Sequence, residues 1–188
     1  MFETLISKLQ DDKYLTLETT PQHEPSMHNI VEKIKKFKID SKVDGFTCTD
    51  NPLAKLKYNS LFAALKLQQE FKKPVIATMT MRDRNKIALQ SDLLGANDFD
   101  IRAILALTGD PANMSDQPNS KGVFEANSLM LLKMIKSFNY GMDFAGRPFK
   151  IEPKQIFPFA VVNAYAKNFG SLEKKMHLKI QNGAVGVI

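Results

Sequence analysis

Short apolar segments alternate with longer segments of helical periodicity along the chain. This alternation is typical of βα units that build a parallel sheet. The pattern predicts five such units followed by a sixth strand. The predicted strands cover residues 14–20, 43–49, 74–80, 102–108, 155–162 and 184–188.

The segments between these strands carry apolar residues at the spacing of one helix face. The positions that predict the helices are Ile30, Val31, Ile34 and Phe37; Leu61, Ala64 and Leu65; Leu89, Leu93 and Leu94; Leu131, Leu132, Ile135 and Phe138; and Leu172, Met176 and Ile180. The candidate caps and helix ends are Asn59 or Ser60, Asn85, Asn127 or Ser128, Gly95 and Gly183.

Polar residues follow the predicted strands at their carboxyl ends. Glu18, Thr49, Thr80 and Asp110 mark the first four ends, at intervals of 31, 31 and 30 residues, and Asn163 follows the fifth strand. In a parallel α/β barrel these ends meet on one face and form the active site, whereas in an open doubly wound sheet only the switch-point loops do so. The polar ends therefore favour an α/β fold of the (βα)8 TIM-barrel type.

The length of the chain limits how much of such a barrel it can form. A complete barrel usually needs about 250 residues, so we expect residues 1–188 to form one partial barrel domain. The sixth strand would then have an unpaired edge, which predicts self-association or pairing with a partner.

The composition describes a globular chain. Hydrophobic residues occupy 44% of the positions, which is enough apolar surface to offset the entropy of ordering and so excludes disorder. The net charge of +6 comes from lysines scattered between acids, which disfavours nucleic-acid binding. The alternatives are a solvated lysine surface and a basic mouth that attracts an anionic cofactor or substrate.

Several kinds of site and location are disfavoured by what the sequence lacks. Gly-x-Gly-x-x-Gly and Walker motifs are absent, and the three histidines have unrelated spacing, so neither a Rossmann dinucleotide site nor a metal site is predicted. Cys48 lies in an apolar strand without a nearby histidine, so a core cysteine is favoured over a nucleophile. A lone cysteine also fits a reducing cytoplasm, and no apolar run reaches the about 18 residues of a membrane span.

Two carboxylates stand out by their position. Glu18 follows Leu17 at the end of the first predicted strand, where partial desolvation would suit it to act as a general acid, although it could instead bind neighbouring hydroxyls. Asp110 follows Gly109 and could accept hydrogen bonds from a heterocycle or cap the turn after Pro111. The segment 82–85 (Arg-Asp-Arg-Asn) could be a salt-bridged turn in which Asn85 caps a helix.

Four segments in this order and spacing, at residues 17–21, 46–51, 82–85 and 105–111, resemble the methylenetetrahydrofolate reductase family. Residues 89–95, 124–128 and 179–184 support the likeness, which covers nearly the whole chain. The version most alike is the reductase half of bacterial bifunctional proteins that also carry a homocysteine methyltransferase. The resemblance implies a flavin-dependent (βα)8 barrel in which NADH or NADPH reduces bound FAD, which then reduces 5,10-methylenetetrahydrofolate to 5-methyltetrahydrofolate.

The resemblance also implies roles for individual residues. Glu18 falls on the family's catalytic glutamate, which promotes protonation and ring opening of the folate, and Asp110 falls on an aspartate that contacts flavin and pterin. The positions expected to bind FAD are Thr49, Asp50, Thr78, Thr108, Gly109, Asp110, Phe124, Glu125, Asn163 and Lys179. Phe124 and Glu125 would lie near the adenosine, and Lys179 would reach the phosphates.

The sequence departs from the family pattern at a few positions. Thr78 stands where many members have a histidine beside the flavin, and Ala164 where an Asn-Pro pair is common. A Thr-Gln pair that follows the sixth strand in the family would begin beyond Ile188. The alternative to a reductase is therefore a catalytically silent partial barrel that binds flavin weakly or acts only by association.

Overall fold

The computed structural model describes residues 2–11, 13–163 and 168–188. Its helices are α1 (Phe2–Asp11), α2 (His28–Lys36), α3 (Ser60–Phe71), α4 (Lys86–Asp98), α5 (Ser128–Asn139) and α6 (Phe169–Gln181). Its strands are β1 (Thr16–Thr19), β2 (Gly45–Cys48), β3 (Val75–Thr80), β4 (Ala103–Leu107), β5 (Phe157–Ala160) and β6 (Gly186–Val187). Ala164 lies outside the described residues.

The strand order is the order in the chain, from β1 to β6. β1 pairs in parallel with β2 and β2 with β3, and β4 pairs in parallel with β5 and β5 with β6. Consecutive parallel strands joined by helices belong to the barrel type, whereas a doubly wound sheet reverses its order at a switch point. The predicted fold class, an incomplete α/β barrel of the TIM type, is confirmed.

The chain divides into two compact units. The first contains Met1–Met79 and Asp110–Lys121, and the second contains Thr80–Gly109 and Gly122–Ile188. In the first unit, one face of β2 and β3 is fully buried, and the ring of Phe46 packs at 5.2 Å from that of Phe71 on α3. In the second unit, the buried face of α5 contributes Leu131 and Ile135 to the core.

The capping residues identified in the sequence correctly predicted where α3, α4 and α5 begin. The Asn59 side chain accepts hydrogen bonds from the N–H groups of Leu61 and Phe62, and Asn85 accepts one from Ala88 N–H. Asn127 likewise accepts from Leu129 N–H at the start of α5. These caps form between residues two or three positions apart, so the sequence alone is enough to identify them.

The structure adds one helix that the sequence pattern did not predict. In α1, Phe2 and Leu5 are fully buried, and they lie three positions apart as on one helix face. The helix is attached through Lys8, whose Nζ lies 2.5 Å from Asp44 Oδ1 just before β2. The apolar spacing of the first nine residues is the signal that could have identified it.

Some predicted boundaries were wrong. Helix α2 ends at Lys36, so Phe37 becomes its C-terminal cap and is 60% exposed instead of lying on the buried face. Helix α4 continues past Gly95 to Asp98, because an exposed glycine is tolerated within a helix at modest cost. Strands β5 and β6 are also shorter than the sequence pattern predicted.

Asp44 connects α1 to the start of β1. Its carboxylate binds Lys8 and accepts a hydrogen bond of 2.9 Å from Leu15 N–H, and these two contacts hold the pKa of Asp44 below its usual value. A lowered pKa means that the stabilisation is present above the unfolded-state pKa of about 3.9 and disappears as the pH falls through the folded-state value.

We therefore expect Asp44→Asn to lower the free energy of unfolding at pH 7 and to have no such effect at acidic pH, where Asp44 is protonated in both states. Urea unfolding at both pH values measures this, with Asp98→Asn as the control because Asp98 is an exposed acid at the end of α4. An equal destabilisation at both pH values would contradict the assigned role of the charge.

Within the described residues, no helix is long and apolar enough to cross a membrane.

Candidate active site

The parallel register of the first unit places several predicted site residues on one sheet face. Glu18 is paired with Thr47, and Thr47 with Ile76. Since alternate residues of a strand point to the same side, Thr49 and Thr78 share this face with Glu18. Thr49 comes directly after β2, and Thr78 lies in β3. The structure therefore groups three of the predicted residues at the carboxyl ends of the first three strands.

The Glu18 side chain is exposed and makes no hydrogen bond or ion pair with any other residue in the described part of the chain. The expected partial desolvation is therefore wrong for the protein alone. The physical reason is that, among the described strands, β1 lies at one end of the order and pairs with β2 alone. The alternative in which Glu18 binds neighbouring hydroxyl groups is not what the structure shows either. Its carboxylate is therefore open to solvent in the protein alone.

Thr49 has a hydroxyl group in an unusual state. Its backbone N–H donates to Thr19 O at 3.1 Å, which continues the pairing of β1 and β2. Its Oγ1 atom is buried and has no hydrogen-bond partner among the described residues. Buried polar atoms are nearly always hydrogen-bonded, so one without a partner calls for an explanation, such as a ligand. A bound ligand with a polar atom at this position would provide the partner.

Asp50, which follows Thr49 in the chain, and Thr78, which shares its sheet face, are both buried. Asp50 is 4% exposed and Thr78 is 5% exposed. The backbone carbonyl of Thr78 accepts a hydrogen bond of 2.8 Å from Ser60 Oγ, which attaches the first turn of α3 to β3. Thr78 is therefore held by main-chain contacts, and its predicted role beside a flavin remains a prediction.

Asp110 belongs to the first unit, although it follows β4. Its Oδ2 atom accepts a hydrogen bond of 2.6 Å from Leu53 N–H, in the loop after β2. The turn after Pro111 has no side-chain cap, so the capping alternative is wrong. Leu53 comes shortly after Thr49 and Asp50 in the chain. Its contact with Asp110 therefore places the Asp110 carboxylate at the loop that follows β2. A carboxylate can accept hydrogen bonds through both oxygens, so this contact does not exhaust its capacity.

Gly109 and Thr108 belong to the second unit. Gly109 has φ +96°, and a Cβ atom there would lie 3.0 Å from Arg82 Cβ and 3.2 Å from Thr80 Cβ. Only glycine fits such a position without strain. The hydroxyl of Thr108 accepts a hydrogen bond of 3.1 Å from Ser128 N–H at the start of α5. The backbone at Gly109, just after β4, is therefore packed closely against Arg82 and Thr80, with no space for a side chain of its own.

Phe124 and Glu125 have contacts within the second unit that explain their positions. Glu125 Oε2 accepts a hydrogen bond of 2.9 Å from Lys86 N–H, in the first turn of α4, where a negative charge is favoured. The ring of Phe124 lies against Gly122, and Phe124 is 37% exposed. Neither contact tests the predicted role of these residues near an adenosine.

Lys179 and Asn163 lie near the end of β5 in the second unit. The Nζ atom of Lys179 donates a hydrogen bond to the carbonyl of Val161, just after that strand. Burial, and then the nearby charge of Lys175, lower the pKa of the Lys179 ammonium group. Asn163 is exposed. The ammonium group of Lys179, on α6, therefore lies near the end of β5, and its role toward phosphates stays a prediction.

Two other candidates from the sequence have structural explanations. Cys48 is fully buried, touches Thr19 Oγ1 at 3.3 Å, and has its pKa raised to about 12 by burial, so the core-cysteine interpretation is confirmed. Arg82 and Asp83 form the predicted ion pair, with 2.6 Å between Arg82 Nη2 and Asp83 Oδ2. Asn85 caps α4 as predicted.

Sequence reasoning missed the loop after β2. Asn51, Leu53 and Ala54 all have positive φ, between 44° and 57°, although none is glycine. Leucine and alanine rarely adopt this conformation, and such strain is found at functional sites more often than elsewhere. No sequence motif marks these residues, because leucine and alanine carry no signal for a left-handed backbone.

Comparisons with known proteins give one result. The family model described as methylenetetrahydrofolate reductase matches residues 3–188, which is almost the whole chain. A direct comparison with curated protein sequences gives no significant match.

Proposed function

Since the chain belongs to the methylenetetrahydrofolate reductase family, whose members are oxidoreductases, we propose that it reduces 5,10-methylenetetrahydrofolate to 5-methyltetrahydrofolate. We propose FAD as its cofactor and NADH or NADPH as the electron donor. The overall reaction consumes the nicotinamide hydride and one proton, and it breaks the carbon–nitrogen bond that closes the five-membered ring of the folate. The chain must therefore supply a flavin site and a proton donor.

The observation that carries the proposal is the state of Glu18. Its carboxyl group is exposed, makes no hydrogen bond or ion pair with another described residue, and shares a sheet face with Thr49 and Thr78. A folate bound against this face would remove water from Glu18, which favours the protonated form and suits it to donate a proton. Such a proton donor is what ring opening of the folate requires.

One feature of the first unit fits a flavin. The buried Thr49 Oγ1 lacks a partner among the residues described, and a polar ring atom of the cofactor would supply one. In the second unit, Gly109 packs against Arg82 and Thr80, and this packing fixes the backbone that follows β4. The cofactor, when bound, provides hydride transfer between nicotinamide and folate, while the protein orients it and tunes it.

Replacing Thr49 with valine, which has the same shape, tests the flavin site. Because Thr49 Oγ1 has no partner among the described residues, Thr49→Val should leave the unfolding free energy of the cofactor-free protein unchanged or raised. The same change should weaken FAD binding by about tenfold, the effect of one lost hydrogen bond. Titration of FAD fluorescence and thermal unfolding without FAD measure the two effects.

Thr19→Val is the matched control for this test. Thr19 Oγ1 donates to Thr47 O at 2.7 Å, so its loss should destabilise the cofactor-free protein by about 0.5–1.5 kcal/mol. If Thr49→Val behaved like Thr19→Val and left FAD affinity unchanged, the hydroxyl of Thr49 would be structural. Wild-type protein that does not bind FAD at all would contradict the proposed function itself.

A further inference from the structure

The loop after β2, residues 51–57, combines strain with unusual support. Three of the eight non-glycine residues with positive φ in the described part of the chain lie within 51–54. Each left-handed non-glycine residue costs energy that its surroundings must offset. The loop follows directly on Thr49 and Asp50, so its conformation determines where these two residues lie.

Two carboxylates from one segment hold this loop. Asp110 Oδ2 accepts from Leu53 N–H at 2.6 Å, and Asp116 Oδ1 accepts from Leu56 N–H at 3.1 Å. Both carboxylates belong to Asp110–Lys121, which is part of the first unit together with the loop. The loop is thus held at the N–H group of Leu53, which is one of the strained residues, and at the N–H group of Leu56, two positions after the strained Ala54.

Other contacts complete the support. Within the loop, Asn51 Oδ1 accepts from Lys57 N–H at 2.8 Å, and at its end Tyr58 N–H donates to Gln22 O at 2.9 Å. The Leu56 N–H bond, followed by the Gln117 side chain, lowers the pKa of Asp116, so Asp116 is a charged acceptor at neutral pH. Hydrogen bonds to a charged acceptor are stronger than those between neutral groups.

We propose that Asp116 is a positioning residue, which together with Asp110 holds the strained loop 51–57 in the conformation that presents Thr49 and Asp50 to the ligand. This inference rests on the proposed function for the identity of the ligand. The claim that Asp116 and Asp110 hold the loop depends only on the contacts of the loop itself. Asp110 has a double role under this proposal, since one of its oxygens is committed to the loop.

The test compares Asp116→Ala with Asp116→Asn. The alanine variant loses the acceptor for Leu56 N–H, whereas the asparagine variant keeps an acceptor oxygen and loses only the charge. We expect Asp116→Ala to raise both the hydrogen-exchange rate of Leu56 and the rate of tryptic cleavage after Lys55 by about fivefold to tenfold, the factor of one ordinary hydrogen bond. Asp116→Asn should change both much less. Asp98→Ala, at an exposed acid in the second unit, is the charge control.

A second variant tests whether the Asp116 carboxylate is needed because the backbone at Leu53 is strained. Leu53 is 47% exposed and has φ +56°, and asparagine adopts this conformation far more readily than leucine. Leu53→Asn added to Asp116→Ala should therefore bring exchange and cleavage back toward the wild-type rates. If the double variant exchanged and was cleaved as fast as Asp116→Ala, the Asp116 carboxylate would not act by opposing the strain at Leu53.

Binding of FAD to the same variants separates this inference from the proposed function. If wild-type protein binds FAD, Asp116→Ala should bind it about fivefold to tenfold more weakly, and Asp116→Asn nearly as well as wild type. Unchanged FAD affinity in a variant whose loop has opened would overturn the positioning role. Absence of FAD binding in the wild type would count against the proposed function. The exchange and cleavage rates would still show whether Asp116 holds the loop 51–57.

Discussion

Glu18→Gln should slow the reduction of methylenetetrahydrofolate by about 10²–10⁴-fold, the usual contribution of a general acid. Glutamine keeps the size and polarity of the side chain but cannot donate an acidic proton. Oxidation of NADH or NADPH by the bound flavin needs no such proton, so this half of the reaction should keep nearly its wild-type rate. Stopped-flow measurement of flavin absorbance follows the two halves separately.

The exposure of Glu18 makes this test clean. Because the Glu18 side chain makes no hydrogen bond or ion pair with another described residue, the substitution should leave the unfolding free energy unchanged. Glu24→Gln, at another exposed glutamate shortly after β1, is the control and should change neither half-reaction. Equal slowing of both halves by Glu18→Gln would mean that Glu18 acts in flavin binding or structure rather than as the acid.

Gly109→Val is expected to have the largest effect on stability. A residue other than glycine at φ +96° costs about 1–2 kcal/mol, and the collision of its Cβ with Arg82 and Thr80 adds about 1–3 kcal/mol of overpacking. The backbone should move to relieve the overlap, and the flavin affinity should fall with it. Urea unfolding and FAD titration measure the two losses.

The chain offers a matched control for this substitution. Gly146 also has positive φ, at +85°, but a Cβ atom there would meet nothing within 4 Å. Gly146→Val should therefore show only the backbone cost of about 1–2 kcal/mol and bind FAD normally. Equal losses of stability in the two variants would show that close packing at Gly109 is unimportant.

The sequence predicted those parts of the structure that depend on neighbouring residues. Strand ends such as Glu18 and Thr49, and caps such as Asn59 and Asn85, are determined by local pattern and were placed correctly. The regular spacing of the strand ends also indicated the consecutive parallel order, because each βα unit has nearly the same length.

Other features depend on contacts that the sequence does not reveal. Asp110 and Leu53 are 57 positions apart, and no local signal shows that one holds the other. The exposure of Glu18 depends on which strands flank β1, not on the residues around Glu18 itself. Likewise, the unpartnered hydroxyl of Thr49 becomes visible only when its surroundings in the described part of the chain are known.

The most direct test of the proposed function is an anaerobic turnover of the FAD-loaded wild-type chain. The flavin absorbance is first bleached with a stoichiometric amount of NADH or NADPH, and 5,10-methylenetetrahydrofolate is then added. The proposed function predicts that the flavin absorbance returns and that one 5-methyltetrahydrofolate forms per flavin. A flavin that binds and bleaches but stays bleached after the folate is added would contradict it.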